Sequence, residues 1–431
     1  MKKLFALLLA CLMVVSIFAG CAPAEQQGGE TKGKVYYLNF KPESNDAWQA
    51  LAKEYTELTG VEVKVVTAAS GEYSTTLNAQ MNTDSAPTLF QCGNAQGLLD
   101  WDEYCLALDG TEILAEMTTE DFNLKNSEGK TKAIGYCYEC FGIIVNTELL
   151  QKAGYTTADI KDFASLKKVA EDITAKSAEL GFAAFSSAGL DSSSSWRFSG
   201  HLANMPLYYE FAEDNVTAQP AEIKGTYLNY YKNIWDLYIN NSTCTGAELA
   251  TKTGDNSKAE FVEGKAVFYQ NGSWEYAGLV EAGMKAENLA MIPIYVGAEG
   301  EEKAALCSGT ENCWAVNAKA SEADQKATLD FMKWVVTSES GTKMMAEQFG
   351  PIPFKEAKAP ENVFFADANE LIANGNYTVT WAFNHTPNVD GWRAGVVSAL
   401  VAYSAGTGDW ADVETAFVAG WANHYKIQNG G

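Results

Sequence analysis

Arg197 and Arg393 are the only arginines in a 431-residue chain that carries 29 lysines, and each directly follows a tryptophan. A guanidinium is a rigid planar fork: it stacks on an aromatic face and donates two parallel hydrogen bonds, which a lysine cannot imitate. Its other use is a structural ion pair that holds a loop, and the sequence leaves both uses open. Four tryptophans, Trp196, Trp274, Trp381 and Trp392, stand among Ser, Gly, Asn and Asp in loops or near helix starts. There they have little helix face to pack on. A core role and a ligand role are both open for them. An exposed indole face stacks on the CH-rich face of a sugar ring, while neighbouring amides and carboxylates take the hydroxyls. Trp48, Trp235, Trp334 and Trp421 instead follow helical periodicity and read as core.

Other chemistries find less support. No Ser-His-Asp spacing and no phosphate-cradling glycine loop occurs. With 55 acidic residues some carboxylates must fall close together, so a glycosidase pair stays open as an alternative. Cys137-Tyr138-Glu139-Cys140 has the spacing of a redox or zinc motif but lies in an extended run, 133–145. Residues three apart in a strand are about 10 Å apart and face opposite sides. A zinc site needs about four ligands, and no second Cys-x-x-Cys accompanies this one. The seven cysteines after Cys21 therefore read as structural, and neither a metal nor a cofactor is expected.

The net charge of −24 argues against nucleic acid and against docking on an anionic lipid surface. Met1-Lys2-Lys3, an uncharged stretch from Leu4 to Gly20 and small residues before Cys21 describe a secretory signal. A short transmembrane anchor is the alternative. Ala19-Gly20-Cys21 resembles a bacterial lipobox, with Phe18 where Leu is usual. The resemblance implies that Cys21 is lipidated and is the protein's only hold on the membrane. Residues 22–33 then read as a flexible tether.

The elements that must position the candidate residues alternate in type. Strands are expected at 35–40, 61–67, 88–92, 141–145, 182–185, 266–270 and 313–316. Helices are expected at 46–59, 72–81, 147–153, 165–180, 223–239 and 322–336, and the tail 392–425 reads as mostly helical. This alternation predicts two α/β lobes with largely parallel sheets. Ligands then bind beyond the strand ends, in the cleft between lobes. The loops there bring Lys41, Glu43, Glu72, Asn94, Trp196 and Trp274.

In this order the segments resemble an extracellular solute-binding lipoprotein of an ATP-binding-cassette importer, in the carbohydrate family that includes maltose-binding proteins. The residues that carry the resemblance are Val61-x-Val63 to Tyr73, Ala86 to Phe90, Glu139 to Asn146, Phe261-x-x-Gly264-Lys265-Ala266 to Trp274, and Ala327 to Pro353. The resemblance implies an α/β, two-lobed periplasmic-binding-protein fold with a hinge and an interlobe ligand cleft. The expected division is 1–21 signal, 22–33 tether, 34–138 with 272–318 as lobe 1, and 139–271 with 319–431 as lobe 2. Trp274 matches the family's stacking tryptophan, Trp392 a second stacking aromatic, and Glu139 an acidic hinge position. Gln91 stands where maltose-type relatives carry Trp, which points away from maltodextrin. The full ligand set expected is Lys41, Glu43, Glu72, Gln91, Asn94, Glu139, Trp196, Arg197, Trp274, Glu311, Trp381, Trp392 and Arg393. The expected function is a monomeric, non-enzymatic oligosaccharide receptor serving importer permease subunits. A receptor for a peptide, polyamine or organic acid is the alternative.

Overall fold

The computed structural model describes residues 32–69 and 71–430. The secretory signal, Cys21 and residues 22–31 of the tether lie outside the described residues. Gly33–Gly431 forms one compact unit. In chain order its strands are β1 (Lys34–Asn39), β2 (Glu62–Thr67), β3 (Leu89–Gln91), β4 (Leu124–Lys125), β5 (Thr131–Gly135), β6 (Glu139–Asn146), β7 (Ala183–Phe185), β8 (Ala266–Gly272), β9 (Leu289–Ile292), β10 (Ala304–Gly309), β11 (Cys313–Val316) and β12 (Tyr377–Thr380).

The strands make two mixed sheets. The first has the order β2-β1-β3-β11-β5-β4, and the second β12-β10-β6-β8-β7 with β9 also on β6. In the first, β1 is parallel to β2 and β3, while β11 runs antiparallel to β3 and β5. In the second, β6 is antiparallel to β8, β9 and β10, with Phe141 opposite Gly272. Local sequence explains the start. Trp48, Leu51, Ala52 and Tyr55 recur at helical spacing and are the buried face of the helix Asn45–Thr59. Gly60, at φ 71°, ends it in the left-handed conformation and donates its N–H to Thr56 O. Strand β2 follows almost at once.

The chain crosses between the sheets three times: at 136–138, at 310–312 and at 350–362. The crossings are tied together, with Tyr136 N–H donating to Asn312 O and Tyr138 N–H to Pro351 O. The expected lobe boundaries do not follow these crossings. Strands β9 and β10, expected in the first lobe, pair with β6 in the second sheet. The helices Glu322–Thr337 and Glu339–Phe349, expected in the second lobe, pack into the first core. There Phe331, Val335 and Met345 meet Tyr37 and Trp48. The reason is the third crossing, which returns the chain to the second sheet only after Phe349. The extended run 133–145 is two strands, and Cys137 lies in the crossing between them. The seven described cysteines are free of disulfides; the sulfurs of Cys92 and Cys105 lie 3.7 Å apart, at S–H···S hydrogen-bond distance.

Candidate functional site

The ends of β1, β3 and β8 and the first two crossings converge between the sheets. From the first sheet comes Lys41, 6% exposed just past β1. Its Nζ lies 2.7 Å from Glu139, the first residue of β6, and 3.4 Å from Glu43. Burial alone would lower the Lys41 pKa; Glu139 and Glu43 override it, and the net shift is upward. The other Glu139 oxygen accepts from Asn312 Nδ2 at 2.7 Å. Both Glu139 oxygens are thus engaged within the protein. Gln91 is likewise engaged: its Nε2 donates to Glu311 O and its Oε1 accepts from Tyr136. Asn94 caps the helix Ala95–Trp101 by accepting from Gly97 N–H. Glu72 is exposed, at the start of the helix Tyr73–Met81.

The second lobe supplies aromatic rings. Trp274 follows β8 and folds back over Gly272; a Cβ there would meet the indole at 2.1 Å. Lys41 Nζ lies 5.4 Å from the same ring. Trp196 stands 5.9 Å from Trp274, with its Nε1 donating to Ser193 O. Trp381 lies over Gly309 and 5.6 Å from Phe141. The six-residue π-helical turn Arg197–Leu202, buried throughout, brings His201 into the same group. His201 stacks on Phe141 at 4.2 Å and 7°.

At the second crossing Glu311 is half-buried. Burial pushes its carboxyl pKa up, Arg393 pulls it back, and Glu139 adds to the rise. The Arg393 guanidinium packs against Gly200 and over Phe383 at 5.8 Å. Its Nε is buried with no hydrogen-bond partner among the described residues. The lobes touch at the rim of this site. A Cβ on Gly71 would come within 3.0 Å of Ser192 O, and the helix Ala95–Trp101 packs against Ala382–His385. The arrangement is therefore a closed one.

Two expected ligand residues are core instead. Trp392 is 1% exposed, donates Nε1 to Phe417 O and packs edge-on against Phe417 and Trp421. It sits on the inward face of the helix Val389–Ser404, which leaves its neighbour Arg393 to face the site. Arg197 is also 1% exposed. It binds Ser194 Oγ, Ser257 Oγ and Gln270 O, tying the turn to β8 and to the helix Gly254–Val262. The fork predicted for a ligand is used on the protein itself. Phe141, His201, Asn312 and Phe383 were missed. Phe141 reads as an ordinary buried strand residue. His201 gives no sequence signal, because no local pattern announces a π-helical turn.

Two mixed sheets joined by three tied crossings, with rings and charged groups enclosed between them, have the build of a two-lobed binding protein that closes on its ligand. Residues 50–373 match the family described as bacterial extracellular solute-binding protein, and the chain belongs to that family. Solved structures share the fold at low identity. RafE in complex with raffinose is 17% identical, with 91% of this chain and 99% of that one covered and a TM-score of 0.71. The GacH receptor of Streptomyces glaucescens, solved unliganded and with acarbose, is 20% identical over 92% and 98%, with a TM-score of 0.67. A solute-binding protein of Thermotoga lettingae bound to alpha-D-tagatose is 12% identical over 92% and 100%, with a TM-score of 0.71.

Proposed function

We propose that the protein is an oligosaccharide receptor, tethered outside the cell through a lipidated Cys21, that closes on its ligand and presents it to importer permease subunits. The observation that carries this reading is the pairing of ring faces with hydrogen-bonding groups in one enclosed site. Trp274 and Trp196 offer half-buried flat apolar faces, and Glu311 and Arg393 bring polar ends to the same space. Lys41, already bound to Glu139 and Glu43, brings a third N–H to the Trp274 face. Flat apolar faces suit CH-rich ring surfaces, and fixed donors and acceptors suit hydroxyls. The lobes' contact at the rim supports closure about the three crossings as the switch that the importer reads. The membership in a family of binding proteins supports a non-catalytic role.

The test is a thermal-shift panel. Raffinose, stachyose, maltotriose and acarbose are scored beside tagatose, short peptides and polyamines. At least one oligosaccharide is expected to raise the melting temperature by several degrees through mass action. A shift with peptides or polyamines and none with any sugar rejects the reading. Release of smaller sugars from the same oligosaccharides replaces it with a glycosidase.

A further inference from the structure

His201 is 5% exposed and its Nδ1 is buried with no hydrogen-bond partner among the described residues. Native proteins rarely leave a buried polar atom unused, because its desolvation goes uncompensated. The residue lies in a π-helical turn, a rare form that concentrates at functional sites. Aromatic rings surround it. Phe141 lies beneath it at 4.2 Å, with Trp196 at 5.1 Å, Trp274 at 5.2 Å, Phe383 at 5.4 Å and Trp381 at 6.0 Å. Two further polar atoms at this cluster, Trp381 Nε1 and Arg393 Nε, are also buried and unpartnered.

We propose that His201 is the hydrogen-bonding reader of one uncharged sugar ring that stacks on the partly exposed faces of Trp196 and Trp274 beside it. This rests on the oligosaccharide reading above and narrows it. Burial, then Arg393, Lys41 and Arg197, keep the imidazole pKa well below its ordinary value. A neutral imidazole has one donor and one acceptor nitrogen, which matches a hydroxyl that both gives and takes a hydrogen bond. Aromatic boxes also hold quaternary ammonium groups. Here three cations, Arg393, Lys41 and Arg197, act on the imidazole and disfavour a further positive charge on it, and binding of a quaternary ammonium is tested directly below. A neutral ring with CH faces and hydroxyl edges suits both the half-buried Trp196 and Trp274 and the unpartnered nitrogens of His201 and Arg393.

The test replaces His201 by Phe, which keeps a ring stacked on Phe141 and removes both nitrogens. Binding of the tightest oligosaccharide from the panel, and of its monodeoxy analogues, is measured by titration calorimetry. The variant is expected to bind roughly ten- to hundredfold more weakly, the scale of one or two buried hydrogen bonds. One monodeoxy analogue should lose a similar factor in the unmodified protein and nothing further in His201→Phe. Binding within about threefold of the unmodified protein overturns the proposal, as do equal losses across the analogues in both proteins. Tight binding of choline or betaine overturns it as well. If His201→Phe does not fold, His201→Gln is measured against the same two outcomes. An unmodified protein that binds no sugar rejects the receptor reading itself, and this proposal with it.

Discussion

Lys41 Nζ lies 2.7 Å from a Glu139 oxygen, joining the end of β1 in the first sheet to the first residue of β6 in the second. Both side chains are nearly dry, and Asn312 from the second crossing holds the other carboxylate oxygen. The pair is a latch across the hinge. Removing one partner of a buried pair leaves an uncompensated charge, at a cost of about 3–5 kcal/mol. In urea unfolding at pH 7, Lys41→Met should destabilise on this scale and Glu139→Gln by less, because Glu43 still faces Lys41 at 3.4 Å. The double variant should cost clearly less than the two single costs added together. The Lys41 pKa is raised in the fold, so its contribution is fully present below the unfolded value of about 10.4 and is lost as pH rises above that. The coupling should therefore be the same at pH 6 and pH 9. Additive costs would show that the two groups do not act as a latch.

The two arginines should now separate in experiment. Arg197→Lys removes several buried bonds to Ser194, Ser257 and Gln270 and keeps a buried charge. It should lower stability by about 2–3 kcal/mol in denaturant. Arg393→Lys touches a group whose Nε has no protein partner. It should leave the melting temperature nearly unchanged and weaken sugar binding roughly tenfold. The opposite pattern, with Arg197→Lys stable and Arg393→Lys unfolded, would exchange their roles.

Much of this was legible in the sequence, for identifiable reasons. Helical spacing exposed the face Trp48, Leu51, Ala52 and Tyr55, and runs such as Val61 to Thr67 marked strands, because periodicity is a local property. The place of Trp274, just past the end of β8 and partly exposed, was legible because two small residues precede it. What failed was non-local. Trp392 and Arg393 are adjacent, and only the register of the helix Val389–Ser404 decides which one faces the core. The sequence cannot choose the structural role of Arg197 over a ligand role, because its partners, Ser257 and Gln270, lie 60 and 73 residues away. The return of the helices Glu322–Thr337 and Glu339–Phe349 to the first core depends on a crossing that no local pattern announces.

Gly272 is required by Trp274. A methyl at position 272 would overlap the indole at 2.1 Å, and Gly272 faces the site beside Phe141 of β6. The Gly272→Ala protein should fold, because the clash is with the far edge of a half-buried side chain and not with backbone. It should lose the stacking face and weaken sugar binding roughly tenfold, with a change in tryptophan fluorescence. Unchanged affinity and unchanged fluorescence would show that Trp274 does not need this seat.

Asp367, in the helix Val363–Ala373, accepts the Met291 N–H of β9 at 2.7 Å. Burial raises its pKa, the Met291 bond opposes, Glu370 adds to the rise, and the result is about 6. A carboxyl raised above its unfolded value of about 3.9 is stabilising as the protonated form and costs stability as pH climbs from about 4 to 6. The full shift would correspond to about 3 kcal/mol, at about 1.4 kcal/mol per unit. Partial exposure of the group reduces this to about 1 kcal/mol. Asp367→Asn keeps an oxygen for Met291 and removes the charge. It should be about 1 kcal/mol more stable than the unmodified protein at pH 7.5, and the gain should vanish near pH 4. Urea unfolding at the two pH values reads both. A variant less stable at pH 7.5 would mean that the charged acceptor's stronger bond to Met291 outweighs the cost of burying it.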